Sequence, residues 1–194
     1  MTKKRMGIVV LVMAAVLIVG MFAFVAYRTP KPAEDTTEIT EKDELMHKNI
    51  AADYPKTPRE VLKLYNRYIL LLYGSQGEEL TDQEIQTLGQ QMRELYDEEL
   101  KSLNPEDTQQ LSLMQELSVF RKDKKVMIQT NVCSSNEVEY IDIKGDSGAT
   151  AQVSYFVKEG NKEFTRTYQK FLLRKDEQGE WKILGFAKVD GGED

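Results

Sequence analysis

The chain carries one histidine, His47, and one cysteine, Cys133, and those counts exclude most of the common catalytic and metal chemistries. A Ser-His-Asp or Cys-His mechanism needs an imidazole within hydrogen-bond reach of the nucleophile, and His47 lies in a stretch that reads as a linker. Zinc centres draw several ligands from Cys and His, so no metal site is expected and no cofactor is implied. A lone cysteine forms no intrachain disulfide. Cys133 sits in the run NVCSSN over 131–136 with no basic neighbour of the kind that activates a thiol, and reads as a bystander. Carboxylates are plentiful, but Glu137, Glu139 and Asp142 alternate with Val138, Ile141 and Ile143. At least part of that acidic face is therefore solvated, and none of the three is assigned as a catalytic base.

The wider composition narrows the partners. Of 194 residues, 41% are hydrophobic and 30% charged, as in globular domains, and the net charge is −6. Nucleic acid is not an expected partner, because phosphate binding needs clustered Lys and Arg. The basic strip Arg121, Lys122, Lys124 and Lys125 reads instead as a helix end, where cations suit the helix dipole.

The elements that must position any site begin with an apolar run. Residues 7–27 (GIVVLVMAAVLIVGMFAFVAY) contain no charge and no Pro, Asn or Gln. About 20 apolar residues in a helix cross a hydrocarbon core roughly 30 Å thick. Lys3, Lys4 and Arg5 precede the run, so the positive-inside tendency favours a cytoplasmic start by a small margin. The alternative is a cleaved signal peptide. Cleavage after Ala26 would leave the bulky Phe24 at the third position back, which fits a small-x-small site poorly. Gly7 and Gly20 are not at G-x-x-x-G spacing, so helix-mediated dimerisation has no specific support. The expected organisation is a basic stub (1–6), a transmembrane helix (7–27), an acidic flexible linker (28–56), a folded domain (57–190) and a short tail (191–194).

The linker is punctuated by Pro30, Pro32 and Pro55 and is rich in Glu and Asp, a composition that buries little apolar surface. A short helix over 41–50, edged by Leu45, Met46 and Ile50, is the only structure it suggests. Thr57-Pro-Arg-Glu60 then reads as a capping box that opens a helix, with Val61, Leu64, Tyr65, Tyr68 and Leu72 at helical spacing. Gly74 and Gly77 end it. Thr81-Asp-Gln-Glu84 opens a second helix with an inner face of Ile85, Leu88, Met92, Leu95 and Tyr96. Asn104-Pro105 stops it and starts a third, on which Leu111, Met114, Leu117 and Phe120 recur at steps of three. After Lys125 the period falls to two, and strands are expected over 126–132, 137–143, 149–157, 164–174 and 181–189. Short polar turns join the later ones, which makes them antiparallel neighbours. Three helices followed by such a meander read as α+β, with helices packed on one face of a curved antiparallel sheet.

This order, and above all the ending 171–184 (FLLRKDEQGEWKIL), resembles the cone-shaped nuclear transport factor 2-like superfamily. Its last hairpin is a strand, a Gly-containing polar turn and Trp-x-Ile. The resemblance covers about 57–190, and anchored forms resemble envelope proteins of Gram-positive bacteria. It implies a pocket framed by the sheet and the first helix, for which Tyr65, Tyr68, Tyr155, Tyr168, Phe171, Trp181 and Phe186 are the candidate lining residues. From the residues alone, the same positions read as core packing between helices and sheet before they read as a pocket. The superfamily's isomerases use an Asp base in an apolar pocket, and no residue of this chain matches that site. The expected function is a non-catalytic, membrane-anchored extracytoplasmic module that binds an envelope protein or peptide. A small-molecule pocket with or without chemistry, and an oligomerising spacer that forms a homodimer through its sheet, are the alternatives.

Overall fold

The acidic stretch expected to be a flexible tether is folded from Thr40 onward. The Thr40 side chain accepts the Asp43 backbone N–H and opens a short helix, α1 (Glu41–Met46). The computed structural model describes residues 40–190; the expected transmembrane helix, the stub, the first part of the linker and the tail lie outside the described residues. Among the described residues no helix is long and apolar enough to cross a membrane. Leu45 and Ile50 are buried in the main core, and the Tyr54 hydroxyl donates to the Trp181 carbonyl at 2.9 Å. Burying two large aliphatic side chains contributes roughly 1.5–3 kcal/mol each, which offsets the ordering of an otherwise polar segment. Arg67 meets both Glu41 and Glu44 at 2.7 Å, and Lys42 meets Glu84 at 3.0 Å.

The two capping boxes form as their residues dictate. The Thr57 hydroxyl accepts the Glu60 N–H while the Glu60 carboxylate accepts the Thr57 N–H, and α2 (Pro58–Tyr73) follows. Thr81 and Glu84 do the same for α3 (Asp82–Arg93). Between them a 3-10 turn (Ser75–Glu79) packs tightly. A Cβ on Gly74 would lie 2.3 Å from the Leu70 carbonyl oxygen, and one on Gly77 2.1 Å from that of Leu72, so both positions need glycine.

Beyond this point the helices depart from the expected pattern twice, once through tertiary contacts and once through helix geometry. The second helix, expected to continue to Asn104-Pro105, stops at Arg93, and Leu95–Asp97 lies alongside the last strand instead. The Asp97 N–H donates to the Ile183 carbonyl at 2.9 Å, and the Ile183 N–H to that of Leu95 at 2.8 Å. Asp97 then caps a separate short helix, α4 (Glu98–Leu103), by accepting the Glu99 N–H. In α5 (Glu106–Lys122) the buried pair is Leu113 and Leu117, whereas Leu111 is 58% exposed. A strict step of three drifts around a helix of 3.6 residues per turn, so Leu111 and Leu117 do not share a face.

Five strands form one antiparallel sheet: β1 (Lys125–Val132), β2 (Glu139–Ile143), β3 (Asp146–Glu159), β4 (Thr165–Lys175) and β5 (Trp181–Val189). The path is β1-β3-β4-β5, and β2 joins the same edge of β3 as β1. β1 pairs with the second half of β3 and β2 with its first half. Lys144 and Gly145, with φ of 54° and 98°, make the two-residue turn between β2 and β3. Register breaks at Met127/Gln129 and Leu172/Leu173 mark bulges, which bend a sheet. Ala149, Ala151, Val153 and Tyr155 alternate toward the helices as their sequence suggests, and with Phe171, Leu173 and Ile183 they build the core. The fold is α+β, helices covering one face of a curved antiparallel sheet.

Candidate functional site

Antiparallel pairing fixes which side chains share a face. Ala151 faces Phe171 and Phe171 faces Phe186, so these belong to the helix-covered side. Ser154 faces Tyr168, Gln152 faces Lys170 and Phe156 faces Arg166, on the uncovered side. The seven aromatic candidates therefore divide. Tyr65, Tyr68, Tyr155, Phe171, Trp181 and Phe186 belong to the inner side, whereas Tyr168 is separated from them by the sheet.

On the inner side most of these rings pack the core. Tyr65 meets Phe171 edge-on at 5.5 Å, and Phe171 meets Phe186 at 5.2 Å. Tyr65, Tyr68, Tyr155, Phe171 and Trp181 are all buried. The Tyr68 and Tyr155 hydroxyls have no hydrogen-bond partner among the described residues, a cost of about 1–3 kcal/mol each. Burial pushes the Tyr68 phenol up to about 12, and it raises Tyr65 and Tyr155 too. These hydroxyls stay protonated at ordinary pH and offer no base.

A cleft of about 260 Å³ remains where α2, α3 and α5 meet β5, lined by Tyr65, Tyr73, Tyr96, Glu116 and Phe186 among others. The Tyr73 hydroxyl donates to Glu116 Oε2 at 3.0 Å, and the Tyr65 and Tyr96 rings lie 6.2 Å apart. Burial, and then the Glu116 charge, raise the Tyr73 phenol. Two of the candidate residues, Tyr65 and Phe186, line this cleft. Sequence reasoning missed Tyr73, Tyr96 and Glu116. The first two lie in helical or helix-like apolar patterns, and Glu116 is an ordinary polar helix position until the Tyr73 partnership is visible.

The uncovered face holds a wider groove of about 500 Å³. Asn131, Thr150, Gln152, Ser154, Tyr168 and Lys170 contribute amides, hydroxyls and a cation to it. Arg166 lies 4.7 Å from the centre of the Tyr168 ring and 5.3 Å from that of Phe156. Glu139 accepts from Thr150 at 3.0 Å and from Lys170 at 3.1 Å, and these bonds, that of Lys170 first, lower its pKa. Phe164 packs against Phe156 with tilted rings, centroids 5.6 Å apart, and is 56% exposed. Cys133 borders this groove, and its carbonyl accepts Arg59 Nε at 2.8 Å. His47 is far from any such partnership: its Nδ1 lies 3.0 Å from the Asp43 carbonyl at the end of α1. Among the described residues no cluster of His, Cys, Asp and Glu could hold a metal ion.

Comparison with known proteins gives one family. Residues 1–186 match the family described as a domain of unknown function, DUF6715. The chain belongs to that family. The DUF6715 match takes in the apolar run at 7–27 together with the α+β domain. No curated protein matches the sequence.

A third cleft, lined by Asp97, Glu98, Asp176, Arg174 and Lys182 among others, is the most highly charged, but its charges are largely committed to one another. Arg174 holds Asp97, Lys101 holds Glu98 at 2.8 Å, and Lys182 holds Glu180 at 2.9 Å. In this DUF6715 domain it is a fastening between α4 and the sheet.

Proposed function

We propose that the protein is a membrane-anchored module of the cell envelope that displays its domain outside the cytoplasmic membrane. There it binds an extended segment of an envelope protein without catalysing a reaction. The observation that carries this reading is the uncovered sheet face, where the groove between Asn131, Gln152 and Tyr168 lies next to the exposed Phe164. Amides and hydroxyls on such a floor pair with peptide N–H and C=O groups. Stacked Tyr and Arg are the residue types that dominate protein interfaces, and the contacts of Arg166 with Tyr168 and Phe156 hold it in position before a partner arrives.

Anchoring is supported by the length of the 7–27 run and by Lys3, Lys4 and Arg5 before it. The DUF6715 match, which spans that run and the domain together, supports a shared architecture. The arrangement of helices over one face of a bent sheet that ends in the Trp181 hairpin is consistent with a nuclear transport factor 2-like cone. Its interior is then largely filled by Tyr65, Tyr155 and Phe171, which favours a surface role over chemistry inside.

Crosslinking in intact membranes tests the reading. The full chain is compared with a chain truncated after residue 39. Partners captured only by the full chain are expected; if the domain adds no partner, the binding role fails. Capture of nothing but a second copy of the chain would replace it with the spacer role, a homodimer through the sheet.

A further inference from the structure

The inner cleft differs in character from the groove across the sheet. Its walls are mainly aromatic and aliphatic, from Tyr65, Tyr73, Tyr96, Phe186 and Met92, and Glu116 is the one charged residue among the described residues that line it. Its volume of about 260 Å³ is just under the roughly 300 Å³ at which ligand pockets usually begin, so an occupant is small. Phe186 is 45% exposed at the end of a continuous ring series, Phe186 to Phe171 to Tyr65 to Tyr96. An exposed aromatic stacked on a buried one presents a ring that the core itself does not need to cover.

We propose that this cleft binds a small organic cation, a substituted ammonium group on a short chain, among the rings of Tyr65, Tyr73, Tyr96 and Phe186, with the Glu116 carboxylate as its counter-charge. The electron-rich faces of aromatic rings attract such cations, and several rings grouped around one site form an aromatic cage. An anion would have to sit beside Glu116 with no lysine or arginine among the lining residues. Arg93, at the end of α3, donates to the Asn104 carbonyl at 2.7 Å, to the Lys101 carbonyl at 2.9 Å and to the Gln109 side chain. Three of its five N–H groups are thereby directed at α4, α5 and the loop between them. The neutral oxygens of Asn104, Thr108 and Ser112 on the rim suit a hydroxyl or amide carried by the same ligand. Glu116 holds its place through the Tyr73 hydroxyl, so the counter-charge and one ring are already positioned together.

The test uses the full chain in a maltoside detergent, which brings no ammonium headgroup of its own. Choline is titrated against its neutral carbon isostere, 3,3-dimethylbutan-1-ol, by calorimetry. Saturable choline binding is expected, at least about fivefold tighter than that of the isostere, the size of one partly desolvated cation–π or ion-pair contact. Glu116→Gln should weaken choline by about fivefold and leave the isostere unchanged, and Phe186→Ala should weaken choline as well. Both positions are exposed, and thermal melts establish that the variants fold. Arg166→Gln, across the sheet, should change nothing, which separates this site from the protein-binding groove. Equal or tighter binding of the isostere, or no saturable binding of choline by a chain with an intact melt, overturns the proposal.

Discussion

Arg174 grips Asp97 with two hydrogen bonds, Nη2 to Oδ1 at 2.7 Å and Nε to Oδ2 at 3.1 Å, across 77 positions of sequence. The same Asp97 carboxylate caps α4, so one side chain joins the sheet to that helix. The Asp97 side chain is 5% exposed and that of Arg174 22%. Removing the arginine leaves a buried carboxylate with only the backbone to answer it. Arg174→Met should destabilise the protein by about 2–4 kcal/mol in urea unfolding, because an uncompensated buried charge is the dominant cost. The double variant Arg174→Met with Asp97→Leu should lose less than the sum of the single changes. Additive losses would mean that the two groups are not coupled.

The segment 40–56 is a second point of attachment rather than a loose tether. Leu45 is fully buried, so Leu45→Ala should cost about 2–4 kcal/mol, as aliphatic truncations in cores do. A domain fragment beginning at residue 40 should be clearly more stable than one beginning at residue 57. The exposed ion pairs of Arg67 with Glu41 and Glu44 should matter little, within about 1 kcal/mol together. Equal denaturation midpoints for the two fragments would contradict the packing of α1 on the core.

Glu84 supplies a pH signature for that attachment. The Thr81 backbone N–H, then Lys42 and the Thr81 hydroxyl, lower its carboxyl from 4.5 to about 2. A depressed carboxylate stabilises the fold above its unfolded value, and that contribution fades as pH falls from about 4.5 through about 2. Melting temperatures of the native chain and of Glu84→Gln should differ at pH 6 and converge toward pH 2. A difference that is constant across this range would remove the carboxylate as its source.

How far the sequence foretold this arrangement depended on whether the signal was local. The capping boxes at Thr57 and Thr81 and the inward alternation from Ala149 to Val157 act within a few residues, and each was legible, whereas the turn read over 144–148 closes in two residues, Lys144 and Gly145, and β3 starts at Asp146. Leu45 and Ile50 were noticed as a thin apolar edge, but nothing nearby announced the core that receives them. Leu95 and Tyr96 continue a helical pattern, yet the hydrogen bonds on offer from Ile183 draw them onto the sheet. Tyr168 counts as one aromatic among seven until strand pairing assigns it to the opposite face. Glu116 gains meaning only beside Tyr73, 43 positions away.

Glycine positions discriminate between close packing and open surface. Gly74→Ala and Gly77→Ala would drive a methyl group into backbone oxygens 2.3 and 2.1 Å away, and each should cost about 1–3 kcal/mol, the usual range for overpacking. Gly185→Ala on β5 meets nothing within 4 Å and should be close to neutral. Chemical denaturation of the three variants checks the contrast, which is lost if Gly77→Ala is as stable as Gly185→Ala.

The proposed binding role rests on the uncovered sheet face and is tested most directly by position. A photo-crosslinking amino acid is placed at Phe164, beside the groove, or at Val119, which is 59% exposed on α5. Each full-length chain is irradiated in its own membranes. Discrete adducts to another envelope protein from position 164 and none from position 119 are the predicted result. Adducts equally from both positions, or from neither, would contradict a partner seated on that face.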